Sequence, residues 1–89
     1  MTAVVISPDS TAARALYFVD RLLRLRALER LVPLAAAAAS ADPVDVRLAK
    51  EKLAELHHEV KELQGRLGFS VRRQVNERLR ALGLPEVRR

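Results

Sequence analysis

The sequence contains no cysteine and no tryptophan, and aromatic residues make up only 3% of it. Without cysteine the chain cannot form disulfides or thiolate metal sites, and two histidines are few for a structural metal site. Leucine, valine and alanine must therefore build the core, which favours helices packed side by side. The chain has 89 residues, and a domain of this size buries only about 60–65% of its unfolded surface. We expect a second chain to supplement the core.

Long apolar segments are absent as well. No stretch approaches the roughly 18 uncharged apolar residues that cross a bilayer. Residues 1–9 lack the basic region and the apolar length of a signal peptide. The sequence therefore predicts no membrane contact and a cytoplasmic location.

A first helix is predicted over residues 9–32, with Ser7 as N-cap and Pro8 at its first position. Pro33 is expected to interrupt it, with a short second helix over residues 34–40. The first helix has an apolar arc wider than the ~100° of an ordinary surface helix. Such a helix is expected to touch two neighbours, the second of which can belong to another molecule. The arc consists of Leu16, Phe18, Val19, Leu22, Leu23 and Leu25.

The next helix is predicted over residues 43–66, with Asp42 as N-cap and Pro43 at the first position. It contains an unbroken heptad pattern of apolar residues, flanked mostly by charged and polar side chains. We name this set the heptad strip: Val46, Ala49, Leu53, Leu56, Val60, Leu63 and Leu67. A strip this narrow favours one partner helix. That partner is either the first helix folded back or the same helix of a second chain.

Gly68 and Ser70 indicate a stop and a restart, with Ser70 as N-cap of a last helix over residues 71–82. Together these segments predict an all-α fold in a single domain spanning residues 1–89. The expected architecture is a small helical hairpin or bundle with one long coiled-coil-type helix and a short C-terminal helix.

The positive charge is concentrated at the C-terminal end. Residues 67–89 hold six arginines against two glutamates, which accounts for +4 of the formal net charge of +5. Arginine favours bidentate contacts with phosphate or carboxylate, and a basic bias of this kind favours association with nucleic acid. The candidate nucleic-acid-binding residues are Arg72, Arg73, Asn76, Arg80, Arg88 and Arg89.

Residues 60–84 resemble a helix-turn-helix DNA-binding segment, in which a helix ends in Leu-Gly and an Arg-rich recognition helix follows a Ser-containing turn. The resemblance implies that Ser70 caps the recognition helix and that Arg72, Arg73 and Asn76 contact DNA. Residues 67–70 are also similar to the C-terminal end of some phage small terminase subunits. Those proteins combine helical oligomerisation with DNA binding, so the resemblance implies a regulatory or phage-packaging role.

Catalytic patterns are missing. There is no Gly-rich phosphate loop, and no serine or cysteine combines with His and Asp in a nucleophilic pattern. Glu55 and His58 form one Glu-x-x-His pair, whereas a di-iron bundle needs two such pairs and two further glutamates. We expect no enzyme activity, no metal, no cofactor and no small-molecule substrate.

Two functions remain open from the sequence. The first is an oligomerising helical module that binds nucleic acid through its Arg-rich C-terminal helix, with a homo-oligomer or helical protein as partner. The alternative is a non-enzymatic structural or adaptor protein that binds another protein through its coiled coil and its wide apolar first helix.

Overall fold

The computed structural model describes residues 10–88, which form three α-helices and, within that range, no β-strand. Helix α1 spans Thr11–Ala37, α2 spans Pro43–Gly65 and α3 spans Phe69–Ala81. The prediction of a small all-α bundle is therefore confirmed.

Helices α1 and α2 form an antiparallel hairpin. The Tyr17 hydroxyl, early in α1, donates a hydrogen bond of 2.8 Å to Glu59, late in α2. Helix α3 packs against part of α1. Val71 lies near Phe18, and Leu79 lies near Leu22. The Cα radius of gyration is 16.0 Å, against roughly 12 Å for a compact chain of this length. The molecule is elongated.

One core joins all three helices. Helix α1 contacts both α2 and α3, so two neighbours belong to the same chain. Leu16 and Leu23 of the predicted arc are exposed, whereas its other four residues, Phe18, Val19, Leu22 and Leu25, lie in this core. Burial of this aliphatic surface supplies most of the folding free energy, at about 25 cal/mol per Å². The buried cluster consists of Ala15, Phe18, Val19, Leu22, Leu25, Val60, Val71, Val75 and Leu79.

The two hairpin helices begin at side-chain caps. Asp42 caps α2 by accepting a hydrogen bond of 2.8 Å from the Val44 amide, with Pro43 in the first turn as predicted. Helix α1 begins later than predicted, because Ser10 accepts a hydrogen bond of 3.0 Å from the Ala13 amide. The predicted cap, Ser7, lies outside the described residues.

Pro33 does not interrupt α1. The helix continues to Ala37, so the predicted break and the separate helix over residues 34–40 are wrong. Proline at this position removes the hydrogen bond that its N–H would donate to the Glu29 carbonyl. Burial of Val32, which is only 5% exposed, and the high helix propensity of the alanines that follow outweigh this loss.

Because Pro33 lies exposed inside a continuous helix, Pro33→Ala is expected to stabilise the protein by about 1–2 kcal/mol. Alanine is favoured over proline by about 3 kcal/mol in a helix interior, and the greater entropy of the unfolded variant offsets about 1 kcal/mol of this. Urea unfolding followed by circular dichroism measures the change. An unchanged or lower free energy of unfolding would show that the helix is distorted at this position.

The boundaries of the last two helices also differ from the prediction. Helix α2 ends at Gly65, and α3 begins at Phe69 with Gly68 as its N-cap, so Ser70 lies within the first turn and caps nothing. Gly68 is extended, with φ −72° and ψ 167°. Its backbone starts the helix without a side-chain cap.

The chain reverses direction after α3 at Gly83, whose φ of +71° favours glycine. The Leu84 amide donates to the Leu79 carbonyl at 2.8 Å, and the Gly83 amide donates to the Arg80 carbonyl at 3.0 Å. This pair of bonds is the Schellman motif of helix C-termini. It returns residues 84–88, named here the C-terminal segment, along the side of α3.

Candidate nucleic-acid interface

The heptad strip faces the interior of the chain. Val60 is buried in the core, and Leu53, Leu56, Leu63 and Leu67 are half-buried against it. The two remaining members, Val46 and Ala49, are half-buried closer to the α1–α2 connection. Helix α1 of the same chain therefore occupies the position of the single partner helix.

Asn76 does not project from α3 into solvent. Its side-chain oxygen accepts a hydrogen bond of 2.8 Å from the Val87 amide, and its side-chain nitrogen donates one of 3.3 Å to the Val87 carbonyl. Both ends of the amide are thus bonded to the C-terminal segment. The sequence predicted that Asn76 contacts nucleic acid. That prediction could not take into account the C-terminal segment, which returns from the turn at Gly83 and covers Asn76.

Arg73 and Arg80 lie on the outer face of α3, each beside a carboxylate. Arg80 donates from Nε to Glu86 at 2.9 Å, and this hydrogen bond, with the carboxylate charge, raises the pKa of Arg80 above its ordinary value. Arg73 lies 3.6 Å from Glu77. Exposed pairs of this kind contribute at most about 1 kcal/mol to stability. They nevertheless cancel most of the positive charge on this face.

Arg72 and Arg88 lie on another side of the molecule. Arg72 donates from Nη2 to the Leu67 carbonyl at 3.0 Å, and it lines a groove with Lys61 and Gln64. The backbone carbonyl of Arg88 accepts a hydrogen bond of 2.8 Å from Gln64. Arg89, the last candidate from the sequence, lies outside the described residues.

Three grooves adjoin around Gln64, which lines all of them. Basic side chains from α1, α2, α3 and the C-terminal segment line these grooves. We name them the Gln64 surface: Arg26, Arg30, Lys61, Arg72 and Arg88.

Few carboxylates oppose this surface. Glu86 lines the groove between α1 and the C-terminal segment but is bonded to Arg80. Glu29 accepts from Arg26 at 3.1 and 3.2 Å. Within residues 10–88, neither Lys61 nor Arg88 forms an ion pair. The Gln64 surface is therefore a concentrated positive region.

The opposite side of the hairpin is electrically balanced. Arg21 lies 3.4 Å from Glu59 and 5.1 Å from the centre of the Tyr17 ring, and the hydrogen bond with Tyr17 and the Glu59 charge raise the pKa of Arg21. Closer to the start of α2, two ion pairs join residues one turn apart: Lys52–Glu55 at 3.6 Å and Arg47–Glu51 at 4.0 Å. These pairs supply control positions with the same residue types as the Gln64 surface.

Sequence reasoning missed Arg26, Arg30 and Lys61 because it counted charge by segment. The segments that hold them carry little net charge, because their acids and bases are nearly equal in number along the sequence. A signal was present: Arg26 and Arg30 are four residues apart on α1, and Lys61 follows the buried Val60 on α2.

Residues 10–88 contain neither a cluster of metal-ligating side chains nor a membrane-spanning helix. That range contains no group of three or more histidine, cysteine or acidic side chains placed to hold a metal ion. No helix in it has the length and apolar character needed to cross a membrane.

Comparison of the chain with protein-family models, with curated proteins and with solved structures found no match. The charge and geometry of the Gln64 surface are therefore the main indication of function.

Proposed function

We propose that this protein is a non-enzymatic helical module that binds the phosphate backbone of a nucleic-acid duplex through the Gln64 surface. One observation supports the proposal above all others. Basic side chains from three helices and the C-terminal segment meet around Gln64. Glu86 is bonded to Arg80 outside this set, and Glu29 pairs with Arg26 inside it. Four of the five basic side chains are therefore left without an ion pair within residues 10–88. Clusters of this kind attract phosphate by electrostatics and by counterion release.

The chemistry of the surface favours backbone contacts over base reading. Arginine guanidinium groups bind phosphate oxygens bidentately, and lysine binds them as a point charge. No Phe, Tyr or Trp side chain lines the three grooves, and His57 is the one aromatic ring among their lining residues, whereas proteins that bind single strands stack successive bases on several aromatic rings. We therefore assign duplex binding with little sequence preference.

The proposed contact residues differ from those that the helix-turn-helix resemblance implies. Asn76 is bonded to Val87 and Arg73 is paired with Glu77, which leaves Arg72 as the one member of that trio on the Gln64 surface. Binding to the phosphate backbone is compatible with the regulatory or phage-packaging role that the resemblance implies. The proposal includes a cytoplasmic location.

Lys61→Glu/Arg88→Glu tests the proposal. Fluorescence anisotropy with a labelled duplex, at roughly 50 and 200 mM salt, measures both affinity and its salt dependence. The unaltered protein is expected to bind more weakly at high salt. The double variant is expected to lose about tenfold or more in affinity, with the slope of log K against log salt smaller by about two, since each phosphate contact contributes about 0.9.

Two matched double variants are the controls. Arg47→Glu/Lys52→Glu has the same charge change at two ion-paired positions closer to the start of α2, and it is expected to retain most of the affinity and the full slope. Arg73→Glu/Arg80→Glu tests the outer face of α3. If that variant alone abolishes binding, the contacts follow the helix-turn-helix pattern and the Gln64 surface is the wrong site. If no duplex binds at low salt, the proposal fails and the adaptor function becomes the better hypothesis.

A further inference from the structure

One face of α1 carries exposed side chains along most of the helix, although Leu23 and Arg30 also line the groove beside the C-terminal segment and Ala27 lines a groove beside α2. The residues of this face follow a second heptad pattern, with spacings of 4, 3, 4, 3 and 4, and all of them are exposed. Leu34 is 69% exposed, whereas Leu16 and Leu23 are each 38% exposed. We name this set the outer face of α1: Leu16, Asp20, Leu23, Ala27, Arg30 and Leu34.

Four of these six positions are apolar and two are charged, and exposed apolar side chains grouped on one face are one mark of an interaction site. Spacings that alternate between three and four are the pattern that packs against one partner helix. The chain itself supplies no such partner within residues 10–88, since α2 and α3 both pack on the other sides of α1.

The outer face of α1 is complementary to itself in one orientation. In an antiparallel pair centred on residue 25, positions equally far from that centre lie opposite each other. Leu16 then meets Leu34, and Leu23 meets Ala27. The two charged positions meet as well, with Asp20 of each chain opposite Arg30 of the other. Every apolar position has an apolar partner, and every charge has an opposite charge.

A parallel pair in register has no such complementarity. It would place each Asp20 beside a second Asp20 and each Arg30 beside a second Arg30, and like charges facing each other destabilise a helix pair. The antiparallel arrangement also has the two-fold symmetry of most homodimers, in which one patch meets its own copy.

We propose that two copies of this chain form an antiparallel homodimer through the outer face of α1. The heptad strip remains inside each chain. The dimer goes beyond the proposed nucleic-acid binding and does not rest on it. Arg30 belongs to both surfaces, but Lys61 and Arg88 are not on the outer face of α1, so the variants at Lys61 and Arg88 let the two proposals fail separately.

Charge exchange tests the pairing directly. Sedimentation equilibrium of the full chain is expected to give twice the chain mass of 9.9 kDa. Asp20→Arg and Arg30→Asp each create two like-charge contacts per dimer, and each is expected to raise the dimer Kd about tenfold or more. The combined Asp20→Arg/Arg30→Asp variant restores opposite charges and is expected to recover most of the affinity.

Two further variants complete the design. Leu34→Glu is expected to dissociate the dimer, whereas Lys61→Glu/Arg88→Glu is expected to leave its mass unchanged. Circular dichroism verifies that each variant keeps its helices. A monomeric parent protein at high concentration, a combined variant as weak as the single ones, or a dimer unaffected by Leu34→Glu would each overturn the proposal.

Discussion

Replacing Phe18 by alanine is expected to lower the free energy of unfolding by about 3–5 kcal/mol. Phe18 is 1% exposed and is the largest fully buried side chain. It lies where the start of α1 meets the end of α2 and the start of α3, near Leu63, Leu67 and Val71. Its removal takes contacts from all three helices at once. A domain has only about 5–15 kcal/mol of stability in total, so this variant should be close to unfolding.

The second phenylalanine of the chain provides a matched control. Phe69, at the first position of α3, is 79% exposed, and Phe69→Ala is expected to change the free energy of unfolding by no more than about 0.5 kcal/mol. Thermal or urea unfolding followed by circular dichroism compares the two. Equal losses in the two variants would mean that the core is not organised around Phe18.

The sequence predicted the small all-α bundle, although with four helices where the structure has three over residues 10–88, because its strongest signals act over short distances. The heptad strip, the Asp42-Pro43 start and the glycines near residue 65 each depend on neighbouring residues alone. The wide apolar arc of the first helix correctly indicated two neighbours. Whether the heptad strip would pack within the chain was left open, because apolar spacing describes a surface and not the molecule that covers it.

The local errors share one physical cause. Pro33 lies inside a helix because packing around Val32 overrides an unfavourable residue. Ser70 is not a cap because Gly68 begins α3 from the backbone alone. In both cases the propensity of one residue, worth about 1–3 kcal/mol, was outweighed by the arrangement of its surroundings.

The candidate site was harder to predict than the fold. Arginine counts along the chain pointed to α3, but Glu77 and Glu86 lie beside two of those arginines in space. The Gln64 surface instead combines side chains from four parts of the chain. Such a combination depends on how the helices pack and on the reversal at Gly83, neither of which a segment-by-segment charge count contains.

The bond between Asn76 and the C-terminal segment determines where Arg88 lies. Asn76→Asp keeps the size of the side chain and the oxygen that accepts from the Val87 amide. It replaces the nitrogen that donates to the Val87 carbonyl with a second oxygen. Two acceptors would then face each other at a half-buried position, so the free energy of unfolding is expected to fall by about 1–3 kcal/mol.

The same substitution is expected to weaken duplex binding, because releasing the C-terminal segment removes Arg88 from its place beside Gln64. Amide exchange followed by mass spectrometry should show lost protection at Val87, and anisotropy should show the lower affinity. Gln74→Glu, which makes the same change from amide to acid on α3, is the control for added negative charge. Unaltered protection at Val87 in the Asn76→Asp variant would show that the core contact of Val87, rather than Asn76, holds the segment in place.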